Sequence, residues 1–359
     1  MSSRLPYLRD VPPSQLPDLM VSWRQPPFRG QQLNRWLYRE NARHWDHMTN
    51  LPLALRHRLA TSYQLCSLEF KERFTSRDGT RKFLFTLHDN SAIESVMIPM
   101  ESHATFCLSS QVGCRMACRF CATARGGLDR QLRTSEILEQ VILLRHDLAD
   151  NPFAGHGERQ FNLVFMGMGE PLDNWKNVSA AVEVMLAKEG FGISARRVTV
   201  STSGHAPLLE KMLDFPHPIG LTISLSGTSE KTRRQLMPLA SRTPLNECLN
   251  LAERYAVRTH RRVTIAYVLV AGISDSLAEA ERLVRHVRGR PFKINLIPLN
   301  KIDKEKLIPS KREHILRFQN TLSAAGIPAF IRESGGQDIA AACGQLRNRH
   351  VSGSASSAD

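Results

Sequence analysis

Seven short apolar runs, alternating with segments of helical spacing, constrain this 359-residue chain more than any other feature. The runs, rich in valine, isoleucine and leucine, fall at 105–109, 162–166, 198–201, 221–226, 263–270, 293–298 and 329–332. Between them, apolar residues recur at helical intervals near 135–148, 178–188, 208–213, 245–255, 277–287 and 312–325. Buried parallel strands read as near-continuous apolar runs, and their alternation with helices is the pattern of βα units. Six or seven such units predict an α/β fold, a partial (β/α)6-type barrel spanning 100–346. In barrels of this kind the working residues sit at the C-terminal ends of the strands.

The segments just after the strands are chemically pointed. After the first comes Cys114-Arg115-Met116-Ala117-Cys118-Arg119-Phe120-Cys121, three cysteines spaced C-x3-C-x2-C. Thiolates so closely spaced suit zinc, copper(I) or an iron–sulfur cluster. Structural zinc takes four protein ligands and an ordinary four-iron cluster takes four cysteines. No fourth cysteine or histidine lies in this loop, so a cluster here keeps one iron open to an outside molecule. A buried trio of unreactive cysteines, or zinc with a distant fourth ligand, fits the same spacing. Gly167-Met168-Gly169-Glu170-Pro171 follows the second strand, Ser201-Thr202-Ser203-Gly204 the third, Ser224-Leu225-Ser226-Gly227 the fourth, and Asn300 the sixth. The glycines of the first of these allow close backbone approach to a ligand, and its carboxylate suits an ammonium group.

The rest of the chain frames this unit. Residues 1–63 read as a helical accessory domain: 14–23 and 28–38 carry apolar residues at helical spacing, with Pro26 and Pro27 as a breaker. Trp36, Leu37 and Phe28 are expected in the core of that bundle, while its basic residues suit RNA phosphates. From 64 to 99, runs at 70–74, 80–85 and 92–98, separated by Asp78-Gly79 and Asp89-Asn90, predict a short antiparallel extension. Small polar residues over 347–359 predict a disordered tail. Lysine and arginine outnumber aspartate and glutamate 48 to 34, a formal charge of +14 that favours a polyanionic partner, nucleic acid before an anionic membrane. No apolar run reaches membrane-spanning length and no signal peptide is read. The seven cysteines, odd in number and clustered, fit a reducing compartment, so the expected location is cytoplasmic. Cys343 lies in an alanine-rich stretch and by its surroundings alone reads as a small buried hydrophobe rather than a nucleophile.

Taken together, Cys107 to Cys114 (CLSSQVGC), the CxxxCxxC loop with Phe120 before its last cysteine, GMGEP, VTVSTSG at 198–204, KINLIP at 293–298 and AACGQL at 341–346 resemble a known family. It is the radical S-adenosylmethionine (SAM) RNA adenine methyltransferases, the RlmN/Cfr family, and the similarity runs over roughly 28–346. The resemblance implies that Cys114, Cys118 and Cys121 ligate a 4Fe-4S cluster whose open iron is chelated by SAM. It implies a SAM site at Gly169, Glu170, Ser201, Ser224, Leu225, Ser226 and Asn300. It further implies that Cys343 carries the methyl group as S-methylcysteine, that Cys107 forms a transient disulfide with it, and that Glu94 is the proton acceptor.

The implied substrate is carbon 2 of an adenine in rRNA or tRNA, with SAM used twice per turnover. A first SAM methylates Cys343, and a second is split to a radical that activates the S-methyl group for addition to the ring. An electron donor such as flavodoxin or ferredoxin is implied, and a monomer is expected. Two departures stand out. Ser226 replaces the family's usual histidine, and Thr123 to Leu132 lacks its common wording, which keeps carbon 8 or another radical SAM modification of RNA open. A non-catalytic RNA-binding protein with a structural metal site is the reading from a different class. It has no use for a redox pair at Cys107 and Cys343.

Overall fold

The structure is a computed structural model that describes residues 5–153, 161–302 and 306–347. The residues expected to form a disordered tail lie, from 348 onward, outside the described residues. The N-terminal segment folds as helices α1 (Leu16–Ser22), α2 (Phe28–Tyr38) and α3 (Leu53–Ser62). Pro27 stands immediately before α2, where its fixed φ suits a helix start. The segment packs on the rest of the chain rather than standing apart. Arg9 is buried and donates to the carbonyls of Leu65 and Ala42, and Asn34 Nδ2 donates to the carbonyl of Glu189 at 3.0 Å. Of the expected bundle core, Leu37 is fully buried and Trp36 packs against the core. Phe28 is a correction: it is 47% exposed, with the Arg29 guanidinium 4.9 Å over its ring.

Strands β1 (Leu68–Thr75), β2 (Arg81–Leu87), β3 (Ala92–Pro99) and β4 (Ala104–Cys107) follow. After a hairpin of β5 (Gln111–Gly113) and β6 (Leu128–Gln131), the chain continues through α4 (Thr134–Asp150), β7 (Phe161–Phe165), α5 (Trp175–Leu186), β8 (Val198–Thr202), α6 (Ala206–Leu213) and β9 (Gly220–Ser224). Helices α7 (Glu230–Leu236) and α8 (Leu245–Thr259) precede β10 (Val263–Leu269), α9 (Leu277–Val287), β11 (Phe292–Pro298), α10 (Arg312–Ala324) and β12 (Ala329–Ile331). Ten strands form one sheet in the order β1-β2-β3-β4-β7-β8-β9-β10-β11-β12. Pairing is antiparallel from β1 to β4 and parallel from β4 to β12. Each parallel neighbour is the next main-sheet strand in sequence, which is the winding of a (β/α) barrel.

The expected antiparallel extension is present and continues the same sheet, with β3 pairing directly with β4. One feature departs from the sequence expectation. The first parallel strand stops at Cys107, and the chain then turns into the small β5–β6 hairpin that brackets the cysteine loop. The apolar run through Leu108 hides that break, since burial continues across it. The parallel order ends at β12, and the segment after it, through Arg347, crosses back to β2 and β3.

Helix α4 locks the strand ends that carry the chemistry. Its core-facing Gln140 accepts from Ser95 Oγ at 2.7 Å and from Ser109 N at 2.8 Å, and donates to Ser109 O at 3.0 Å. Ser109 Oγ in turn donates to Glu94 O and accepts from Met168 N. Buried polar groups satisfied this completely fix geometry more tightly than apolar packing alone.

Candidate active site

The cysteine loop is held by its backbone. Cys114 N donates to Gly127 O at 2.6 Å, Cys121 N to Cys118 O at 3.1 Å, and Arg119 N to Leu236 O at 2.9 Å. Ala117, between the first two cysteines, takes a left-handed φ of 57°, which bends the loop back on itself. The three thiols feel one another. Burial first, and then Cys121 and Cys114, push the Cys118 thiol well up. Burial likewise carries Cys114 to about 12, with Glu170 and Cys121 adding to the rise. Metal ligation needs the thiolates, so loading the cage with metal releases protons.

The donor set fits a 4Fe-4S cluster. Three soft sulfurs from one short loop lie within electrostatic reach of one another, and among the described residues no His, Cys, Asp or Glu trio is gathered that could hold a single metal ion. Mononuclear zinc needs all its ligands about 2.3 Å from one point. A cubane takes each thiolate on a different iron and asks for wider spacing.

The Gly-Met-Gly-Glu turn leaves β7 directly beside this loop. A Cβ on Gly167 would sit 2.7 Å from Leu108 O, and one on Gly169, where φ is +105°, would sit 2.6 Å from the Gln111 side chain. These glycines are required by close approach to the chain itself. Glu170 is buried, and burial raises its carboxyl pKa although Ser203 N and Leu172 N donate to it. Its own N–H donates to Gln111 Oε1 at 2.7 Å. Ser203 Oγ is buried without a partner at the same spot. Ser201 lies in β8, Ser224 ends β9, and Ser226 follows it with φ +48°. All lie at the C-terminal ends of parallel strands, as the alternation predicted.

The C-terminal loop reaches the same mouth. Ala122 N donates to Gly344 O at 2.6 Å, Thr123 Oγ1 to Leu346 O at 2.7 Å, and Asn300 Nδ2 to Cys343 O at 3.1 Å. Gly344 has φ +82°, and a Cβ there would lie 2.7 Å from Phe120 O and 3.6 Å from the Cα of Cys121. Only glycine fits. Asn300 thus anchors the Cys343 loop by its amide, a role its place after β11 did not reveal. Cys343 is exposed, yet the protein around its thiol pushes the pKa up, against hydrogen bonding from Ser334 and the nearby Arg332. Cys107 is buried, and burial first, then Cys343, push its thiol up. The two cysteines, 236 positions apart by subtraction of their numbers, are electrostatic neighbours.

Glu94, on β3, is 3% exposed and forms an ion pair with Lys82 at 3.1 Å. Its second oxygen accepts from Arg347 N at 3.0 Å. Lys82 also donates to Ala340 O at 3.4 Å and lies 5.1 Å from the Phe74 ring centre. Val96 pairs with Cys107 across β3 and β4, so Glu94, two residues from Val96, shares the face of Cys107. The sequence reading missed Lys82. Its signal was a lysine inside an otherwise apolar strand, Lys82-Phe83-Leu84-Phe85. A separate cleft of about 1030 Å³, lined by residues including Asn34, Arg35, Arg39 and Glu183, holds none of the candidate residues.

This fold, with a three-cysteine loop after the first parallel strand, defines a radical SAM protein. The radical SAM superfamily pattern matches residues 108–284, and the ribosomal RNA large subunit methyltransferase N-terminal domain matches residues 7–65. A dual-specificity RNA methyltransferase RlmN from Anaeromyxobacter sp. is 42% identical over 95% of this chain and 90% of its own length. A probable RlmN from Clostridioides difficile is 37% identical over 98% of this chain and 100% of its own. The crystal structure of a radical SAM methyltransferase from Sphaerobacter thermophilus superposes with a TM-score of 0.90 at 39% identity, covering 95% of this chain and 99% of that one. The chain belongs to the RlmN family of dual-specificity RNA methyltransferases.

Proposed function

We propose that this chain methylates carbon 2 of an adenine in rRNA and tRNA, with Cys343 as the methyl carrier. The observation that supports the reading is the seating of the Cys343-Gly344 turn against Phe120, Cys121 and Ala122, beside the three-cysteine loop. A 4Fe-4S cluster on Cys114, Cys118 and Cys121 would supply the electron that splits SAM to a carbon radical. Gly169, Glu170, Ser201, Ser224, Leu225, Ser226 and Asn300 would line the SAM site, with Glu170 the carboxylate facing the SAM ammonium. A flavodoxin or ferredoxin would deliver the electron, and the chain would work as a cytoplasmic monomer. Among the described residues no helix is long and apolar enough to cross a membrane.

The protein's own residues divide the remaining work. The adenine carbon is electron-poor, so no sulfonium methyl can be passed to it directly; the Cys343 thiolate takes that methyl first by displacement. Once the carbon carried on Cys343 is joined to the ring, Glu94 removes the ring proton, and the adduct's one excess electron would go back to the centre that supplied it, which restores the aromatic ring. The Cys107 thiolate then attacks the Cys343 sulfur. An S–S bond forms, the sulfur–carbon bond breaks, and the carbon leaves with the electron pair and gains a proton to become the methyl group. A thiol reductant reopens the disulfide. The excess positive charge of +14 suits the RNA, whose target base must be unstacked to be reached.

The test is Cys343→Ala in anaerobically purified protein. It is expected to keep the brown iron–sulfur chromophore and SAM cleavage while RNA methylation disappears. Methylation surviving in this variant would end the reading.

A further inference from the structure

Strand β1 is an odd investment. It is the edge of the ten-stranded sheet and six of its eight residues are exposed. Yet the turn it makes with β2 is tied down by the far end of the chain. Asp78 accepts from Thr80 N and from Gly336 N, both at 2.8 Å. In return, Asp338 accepts from Ser76 Oγ and from Arg77 N at 3.2 Å. Each aspartate fastens the other's loop. The fit is also steric: a Cβ on Gly335 would meet Thr80 Oγ1 at 2.6 Å and Asp78 Oδ2 at 2.9 Å, and one on Gly336 would meet Thr80 Cγ2 at 2.9 Å. Burial alone would raise the Asp78 carboxyl, but the N–H groups of Thr80 and Gly336 outweigh it and hold it low.

This clasp lies only a few residues before Cys343. Between them, Ala340 takes a left-handed φ of 51°, strained for a residue with a side chain, and its carbonyl is held by Lys82. Beyond Cys343 the loop is held by Ala122, Thr123 and Asn300. The carrier turn is therefore pinned at both ends, one pin on the cysteine-loop side and one on the β1–β2 turn.

We propose that the β1–β2 turn is a clasp for the methyl-carrier loop, with Asp78 and Asp338 as positioning residues that set the reach of Cys343. This rests on the reading of Cys343 as the carrier. Neither aspartate touches the reacting atoms. They act by limiting the arc through which the sulfur swings between methyl donor, RNA base and Cys107, and a misplacement of about 1 Å costs on the order of a hundredfold in a positioned reaction.

The experiment uses full-length protein with its cluster and SAM, in the variants Asp78→Ala, Asp338→Ala and Asp78→Asn. Two quantities are read: methylated adenosine formed per 5′-deoxyadenosine released, and the rate at which maleimide labels Cys343, located by peptide mass mapping. The alanine variants are expected to lower the methylation ratio about tenfold or more while 5′-deoxyadenosine release stays within about twofold. Labelling of Cys343 is expected to quicken, and Asp78→Asn, which keeps an acceptor oxygen, to recover much of both. A structural loss of stability would lower both products together and would not change their ratio. An unchanged ratio and unchanged labelling in Asp338→Ala, whose side chain is at the surface and whose loss leaves the sheet intact, would overturn the clasp. Should Cys343→Ala still methylate RNA, the carrier reading itself fails, an outcome distinct from that one.

Discussion

The span matched by the radical SAM superfamily, 108–284, and the chain on either side of it do different jobs. Inside lie Cys114, Cys118, Cys121, Gly169, Glu170, Ser201 and Ser224 to Ser226, which with Asn300, outside the span, are the residues proposed to hold cluster and SAM. Outside lie Glu94, Cys107, Cys343, Lys82 and the two aspartates of the clasp. The inner set sits on a parallel sheet whose strand ends need only present loops. The outer set is assembled from an antiparallel hairpin and a C-terminal loop that meet only in the fold, with Lys82 bonded to Ala340 and Glu94 to Arg347. On the proposed roles, radical generation is built into a shared scaffold, and what is done with the radical is decided by the segments added around it.

That division breaks if a residue of one set behaves as a member of the other. The largest expected effect is Cys118→Ala. Removing one of three thiolates should bleach the anaerobic absorption of the cluster and abolish SAM cleavage as well as methylation, a loss of more than about a thousandfold in each. Retention of SAM cleavage in that variant would remove the cage from the chemistry. A middle-sized effect is expected from Lys82→Met. It leaves a buried carboxylate without its partner and should destabilise the fold by about 3 kcal/mol, read as a lower urea midpoint with little change in slope. Its methylation ratio should fall while the cluster chromophore persists, because Lys82 belongs to the outer set. A Lys82→Met protein as stable as the wild type would show that the ion pair contributes nothing the fold needs.

Legibility in the sequence followed the same line. The cage, the GMGEP turn and the parallel alternation are local patterns, so spacing alone exposed them. The outer set is not local. Nothing in Asp78-Gly79 distinguishes an ordinary turn from one that receives Gly336, because Gly336, whose N–H Asp78 accepts, lies 258 positions away. Glu94 and Cys343 came only from resemblance to a family, and Lys82 escaped notice because a buried lysine is legible only when its carboxylate is in view. The β5–β6 hairpin was hidden for another reason: the chain stays buried through the strand break at Leu108, with the polar Ser109, Ser110 and Gln111 as covered as their apolar neighbours. Asn300 was found by its position after β11, but its hydrogen bond to the Cys343 carbonyl could not be inferred from either residue.

The central claim is that the Cys343 sulfur is close enough to the three-cysteine mouth to accept a methyl group there. The direct measurement is incubation of the cluster-loaded protein with SAM carrying a deuterated methyl, without RNA, followed by peptide mass mapping. The account predicts label on Cys343 and on no other cysteine. It also predicts a rate of labelling that rises with pH: the surrounding protein raises the Cys343 pKa, so the thiol is neutral at pH 7 and the reactive thiolate grows as pH approaches that raised value. No label on Cys343 in this incubation, from a preparation that methylates RNA once RNA is added, would contradict it.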